Sequence, residues 1–124
     1  MTHRSPLRLC ATLTLALLGS MAIGSGSARA DTVGSAGALE SLTLYSSSST
    51  EYENRHGELV VREAGNIART YYFGGSRCAY QTLASDQLDL LGRTVNRNGV
   101  TVTPYYVSGV SGSRCVVGFS MQGA

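Results

Sequence analysis

Between Ser85 and Met121 the hydrophobic period of the chain changes once, from that of a helix to that of strands. Ala84, Leu88, Leu91 and Val95 recur at spacings of four, three and four, which is one apolar helical face. Thr82 or Ser85 can cap this helix, and Asp86 in its first turn favours the positive end of the dipole. Arg93 and Arg97 stand near the other end, and Asn98-Gly99 supplies a left-handed stop. Two strand patterns follow. Val100 to Val107 is rich in Val, Thr and Tyr; Pro104 lacks a backbone donor, so that point belongs at an edge or a bulge. Arg114 to Met121 is the last strand, and the period-two rule puts Cys115, Val117, Phe119 and Met121 on one inward face. Ser108 to Ser113, between them, reads as a flexible loop.

Three strands precede the helix. Leu39 to Leu44 alternates apolar and polar residues and leads into Tyr45. Ser46 to Thr50 either prolongs that strand or forms a loop, and Glu51 to His56 is a charged turn ending at Gly57. Glu58 to Glu63 and Ile67 to Phe73 make a hairpin around Ala64-Gly65-Asn66. Asp31 to Ala38 is Gly/Ser/Ala-rich and reads as a flexible start. The order strand, strand, strand, helix, strand, strand makes the fold mainly β, of the α+β kind. It fits a small five-stranded OB-type barrel with one helix between strands 3 and 4. An open sheet with one helix packed on it has the same element order.

Residues 1–30 do not belong to that fold. Arg4 and Arg8 form a positive start, and Leu9 to Ile23 is an apolar run too short to span a bilayer comfortably. Ala28-Arg29-Ala30 is a small-x-small cleavage site. The expectation is a secretory signal peptide over 1–30 and a single OB-like binding domain over 31–124. The protein is then secreted or periplasmic in a bacterium, with no membrane span after cleavage. Cleavage removes three of the ten arginines and leaves seven against eight carboxylates, a net charge of −1. The apparent basicity is that of the leader, and no basic patch argues for nucleic acid. It also removes Cys10, leaving Cys78 and Cys115, which in an oxidising compartment form a disulfide. The chain-entropy model assigns such a closure about 3–4 kcal/mol.

No catalytic signature is present. His56 is the single histidine after the leader, Glu51 and Glu53 are a close acidic pair in a charged turn, and the glycine segments are misplaced for phosphate loops. The reading is therefore not an enzyme, with no cofactor and no metal, since two cysteines and one distant histidine are not a ligand set. Seven tyrosines lie after the leader, two pairs of them adjacent: Tyr71-Tyr72 and Tyr105-Tyr106. Adjacent residues on a strand face opposite ways, so one ring of each pair points out. Beside the serine run and the arginines, such rings form a surface of hydroxyls and aromatic faces, which sugars and protein partners both use.

Leu88-Asp89-Leu90-Leu91, Asn98-Gly99-Val100-Thr101-Val102-Thr103 and Cys115-Val116-Val117-Gly118-Phe119-Ser120 carry a family resemblance. The segment resembles the binding (B) subunits of AB5-type bacterial toxins, of the subtilase-cytotoxin and typhoid-toxin kind. There too a helix ends at a glycine before a strand, and the last strand has a Val-Gly pattern near a cysteine. The likeness covers about the last forty residues by pattern, and the rest of the domain by element order and size. It implies an OB-fold protomer, a homopentameric ring, binding of host cell-surface glycans (often sialylated), and a helix that lines the pore and docks a toxin A subunit. The family's sugar site is a serine beside an aromatic on an early strand, to which Tyr45-Ser46 is the nearest match. Tyr45, Ser46, Ser47 and Tyr72 are thus the ligand-binding candidates. The chain departs from the family in having one cysteine pair and no Trp. An alternative function, a small secreted or periplasmic inhibitor of a host or rival enzyme, fits the size and disulfide equally, with Ser108 to Ser113 as its inhibitory loop. A small hydrolase using His56 or the acids is a third reading.

Overall fold

The computed structural model describes residues 31–123, so the signal-peptide expectation for 1–30 lies outside the described residues. The elements are β1 (Thr32–Val33), β2 (Gly37–Leu44), β3 (Gly57–Glu63), β4 (Ile67–Phe73), α1 (Ser85–Gly92), β5 (Thr101–Ser108), a single 3-10 turn (Val110–Gly112) and β6 (Arg114–Gln122). The strands run in the order β1-β5-β2-β3-β4-β6, and β5 also pairs with β6. Strands β2 to β6 thereby close into a five-stranded barrel, with the helix between its third and fourth strands as in an OB fold. All pairings are antiparallel except β4 with β6, which is parallel and consists of one register pair, Tyr72 with Cys115.

The barrel core is assembled by period-two alternation. In β3, Leu59 and Val61 face in, and the paired strand β4 supplies Tyr71 and Phe73. Leu39, Leu91, Val102 and Val116 complete the buried cluster. Two bulges interrupt the alternation. Register shifts between Leu39 and Ser41, so Glu40 is an extra residue and Leu42 returns to the core side. It shifts again where Tyr105 and Tyr106 face Gly118 and Val116, leaving Val117 extra. Such insertions bend and twist a strand, which a closed barrel this small requires.

The second bulge corrects the reading of the last strand. Val116, Phe119 and Met121 serve the barrel core, while Cys115 and Val117 belong to a second cluster with Cys78, Val107 and Tyr72. Cys115 therefore points away from the main core, and the bulge is why one uninterrupted face does not exist. The expected disulfide forms: Cys78 and Cys115 are bonded, with both residues fully buried.

The N-terminal segment is also more ordered than its composition suggests. Thr32 and Val33 pair with Tyr106 and Tyr105, and the Gly34 N–H donates to the Pro104 carbonyl at 2.7 Å. β5 gives one register pair to β2, Gly37 with Val102, and then pairs with β1. Pro104, with no N–H to give, sits at that changeover beside the bulge. Gly37 allows the crossing, because a Cβ there would strike the Arg62 carbonyl.

The helix is shorter than its hydrophobic period. It starts after Ala84, which is exposed rather than on the apolar face. Gln87 takes the capping role by accepting the Ala84 N–H at 2.8 Å. It ends at Gly92 because the Thr94 hydroxyl donates to the Leu90 and Leu91 carbonyls, at 3.1 and 2.7 Å. Asn96 then adopts a left-handed conformation (φ 56°) and its N–H donates to the Leu39 carbonyl. Leu91 is buried, while Leu88 and Val95 pack at the core margin. The loop from Ser108 to Ser113, expected to be flexible, is instead a hydrogen-bonded turn: Gly109 N–H to the Ser113 carbonyl, Ser113 N–H to the Val110 carbonyl, and Val110 N–H to the Arg77 carbonyl. Among the described residues no helix is long and apolar enough to cross a membrane.

Candidate functional site

The serine run does not prolong β2. Ser49 N–H donates to the Ser46 carbonyl and Tyr52 N–H to the Ser49 carbonyl, coiling the segment into successive turns. Further on, Asn54 and Arg55 N–H groups both donate to the Glu51 carbonyl. The ends of the loop are tied where Tyr45 N–H meets the His56 carbonyl and His56 N–H meets the Phe73 carbonyl. Ser46 and Ser47 are exposed on the first turn, with the Ser46 and Ser48 hydroxyls 3.1 Å apart.

This loop brings residues ten apart into contact. Arg55 Nη2 donates to the Tyr45 hydroxyl at 3.2 Å, and its guanidinium lies 5.3 Å from the Tyr45 ring centre and 5.9 Å from that of Tyr72. Arg77 lies over the other aromatic, 4.7 Å from the Tyr72 ring centre. The result is a row of alternating rings and cations: Tyr45, Arg55, Tyr72, Arg77. Arg55 is held by Glu51 at 3.5 Å and Glu58 at 3.4 Å; the second contact, made by Nε, is an ion pair without hydrogen-bond geometry. The Tyr45 hydroxyl, more than the two carboxylates, favours the charged guanidinium and raises its pKa against the opposing effect of burial.

Beside the row lies a cleft of about 310 Å³ lined by Tyr45, Tyr52, His56, Phe73, Leu44 and Leu88 among others. Tyr52 and His56 stack in it, ring centres 4.0 Å apart and nearly parallel. An adjoining groove of about 460 Å³ shares Leu44, Ser85 and Leu88 and continues along α1 to Gly92 and Arg93. Leu44, the last residue of β2, is 54% exposed at the barrel's end, where these hollows meet. Both volumes fall in the range of small-ligand sites.

Of the four candidates, Tyr45 and Tyr72 are joined through Arg55, and Ser46 and Ser47 follow Tyr45 on the open side of the turn. Sequence reasoning missed the arginines as named members of the site, and Tyr52 and His56 as walls of the cleft. The one available signal was position: Arg77 immediately precedes Cys78, so the disulfide fixes its backbone. Of the acids proposed for hydrolysis, Glu51 pairs with Arg55. Among the described residues, no group of three or more His, Cys, Asp or Glu is placed to hold a metal ion.

Comparisons with protein-family models, curated proteins and solved structures return no match to this chain.

Proposed function

We propose that the chain is an exported glycan-binding module of the toxin B-subunit kind. The observation that carries this reading is the Tyr45–Arg55–Tyr72–Arg77 row and its position on the barrel. OB folds bind oligosaccharides and oligonucleotides on their second and third strands and on the loops after the first and fourth strands. Tyr45 and Arg55 bound the first of those loops, and Tyr72 is on the third barrel strand. Aromatic faces take the CH side of a sugar ring, and the Arg55 and serine donors take its hydroxyls. Within residues 31–124, seven arginines against eight carboxylates argue against a nucleic-acid ligand. On this reading the protomers form a ring, and the exposed side of α1, with Asp86, Asp89 and Leu90, meets a catalytic partner subunit.

A glycan array with the mature protein tests the ligand. Tyr45→Ala and Tyr72→Ala should each weaken binding about tenfold, the stacking loss of one aromatic. A mass measurement in solution tests assembly. A strict monomer that binds nothing on the array sinks the reading.

One observation supports a second reading, inhibition of an enzyme. The Val110–Gly112 turn is rigidly hydrogen-bonded and presents Val110 with 59% of its surface exposed. A rigid projecting loop loses little entropy on binding. Tight capture of one enzyme, lost on deletion of 110–112, would favour it over glycan binding.

A further inference from the structure

Arg77 stands apart from the paired arginines. Arg55, Arg62, Arg69 and Arg93 each lie within 4 Å of a carboxylate. Among the described residues none does so for Arg77, Arg97 or Arg114, and of these three Arg77 is the one with a buried side-chain nitrogen lacking a hydrogen bond. Its Nε is buried with no hydrogen-bond partner, and Nη1 donates to the Ser113 hydroxyl at 3.1 Å. The head group is thus held from one side by Ser113 and from another by the Tyr72 ring, while its charge lacks a counterion.

The backbone around it is fixed by three elements. Arg77 N–H donates to the Asn54 carbonyl, its carbonyl accepts from Val110, and the next residue is in the disulfide. Two hollows meet at Arg77 and Val110. One, of about 240 Å³, is lined by Asn54, Ser76 and Ser111 as well. The other, of about 370 Å³, includes Tyr80, Gln81 and Ser108. Each contains a non-glycine residue in the left-handed region: Ser111 at φ 58° and Tyr80 at φ 70°. A bulky residue there is strained, and such strain persists where surrounding structure enforces it. Its effect here is to hold the Tyr80 ring fully exposed beside Arg77, with the exposed Val110 between the hollows.

We propose that Arg77 anchors the carboxylate of an acidic sugar, with Tyr80 and Val110 against its ring and Asn54, Ser76 and Ser111 toward its hydroxyls. The identity of the ligand as a sugar rests on the function proposed above; the hollows at Arg77 are distinct from the Tyr45 cleft, and Arg77 stacked on Tyr72 is the link between them. The carboxylate supplies the counterion that Arg77 lacks. The strained residues are the walls on either side, set before the ligand arrives.

The test is titration of the mature, disulfide-bonded protein with sodium glucuronate, glucose or sodium acetate, followed by amide chemical shifts. Glucuronate should saturate shifts at Val110 and Ser111, while glucose at equal concentration leaves them unmoved. Arg77→Gln should weaken glucuronate about tenfold or more, the loss of a charge-assisted hydrogen bond. Tyr80→Ala, at an exposed position that folding does not need, should weaken glucuronate but not acetate. Equal shifts with glucose and glucuronate, or full glucuronate affinity in Arg77→Gln, overturn the carboxylate anchor. Acetate binding as tightly as glucuronate overturns the role of Tyr80 and Val110. Failure here, with array binding still dependent on Tyr45, leaves the glycan reading standing. Arg77-dependent glucuronate binding with array binding unchanged in Tyr45→Ala does the reverse.

Discussion

Replacing both disulfide cysteines, Cys78→Ala with Cys115→Ala, should bring the domain to the margin of stability. The cross-link joins residues 37 apart, and in the chain-entropy model closing a loop of that length stabilises by about 3.8 kcal/mol at 25 °C. Each sulfur is fully buried, in a cluster with Val107, Tyr72 and Val117. Removing it leaves a void worth on the order of 1 kcal/mol. The total is about 6 kcal/mol, against the 5–15 kcal/mol typical of a whole domain. The structure also says where the damage starts. β4 and β6 share one register pair, Tyr72 with Cys115, and that pair is at the disulfide. Urea denaturation gives the loss of stability, and the slope should rise because the freed unfolded chain exposes more surface. Hydrogen exchange should then show faster opening at Tyr72 and Val116 than at Val61 in β3. A loss below about 2 kcal/mol with an unchanged slope would refute the argument that the bond closes this seam.

Three other perturbations probe different parts of the barrel. Gly37→Ala drives a methyl group into the Arg62 carbonyl and Val61, and should cost about 2 kcal/mol or more by urea melting. Arg69→Ala strands the Glu63 carboxylate, whose side chain is 7% exposed and 3.0 Å from Arg69; the expected loss is about 3 kcal/mol, with most of it restored by adding Glu63→Gln. Burial, and secondarily Glu63, raises the Tyr71 phenol above its usual value of 10.0. The unfolded chain therefore gives up this proton first, so stability is intact below pH 10 and falls as pH rises from there through the folded value. Thermal melts in alkaline buffers should show that fall, and Tyr71→Phe should make it shallower.

The parts of this molecule that follow local rules were legible in the chain itself. β3 alternates strictly, β4 alternates over Tyr71 to Phe73, the turn between them carries Gly65 and Asn66 at positive φ, and with Cys10 assigned to the leader the cysteine count left one pairing. The bulges were not legible, because an inserted residue such as Val117 has no side-chain mark that period-two counting detects. β1 was missed for a related reason: its pairing with β5 is made by backbone groups, and Gly34 and Gly37 matter for what they lack. The helix end was misplaced because Thr94 caps carbonyls ahead of the Asn98-Gly99 signal. At the candidate site, Tyr45 and Tyr72 stood out by residue type. Arg55 and Arg77 join them only through folding, across spans that no local pattern relates.

The extra residue in β6 has a consequence for how such a chain can vary. Cys115 must face the outer cluster and Phe119 the barrel, and the bulge between them is what permits both. A substitution at Val117 or Gly118 alters contacts locally. A deletion of one residue there turns either the cysteine or the aromatic to the wrong side. The length of this strand is therefore constrained more tightly than the identity of its residues. In distant kin the interval from cysteine to aromatic should stay constant while the residues inside it drift.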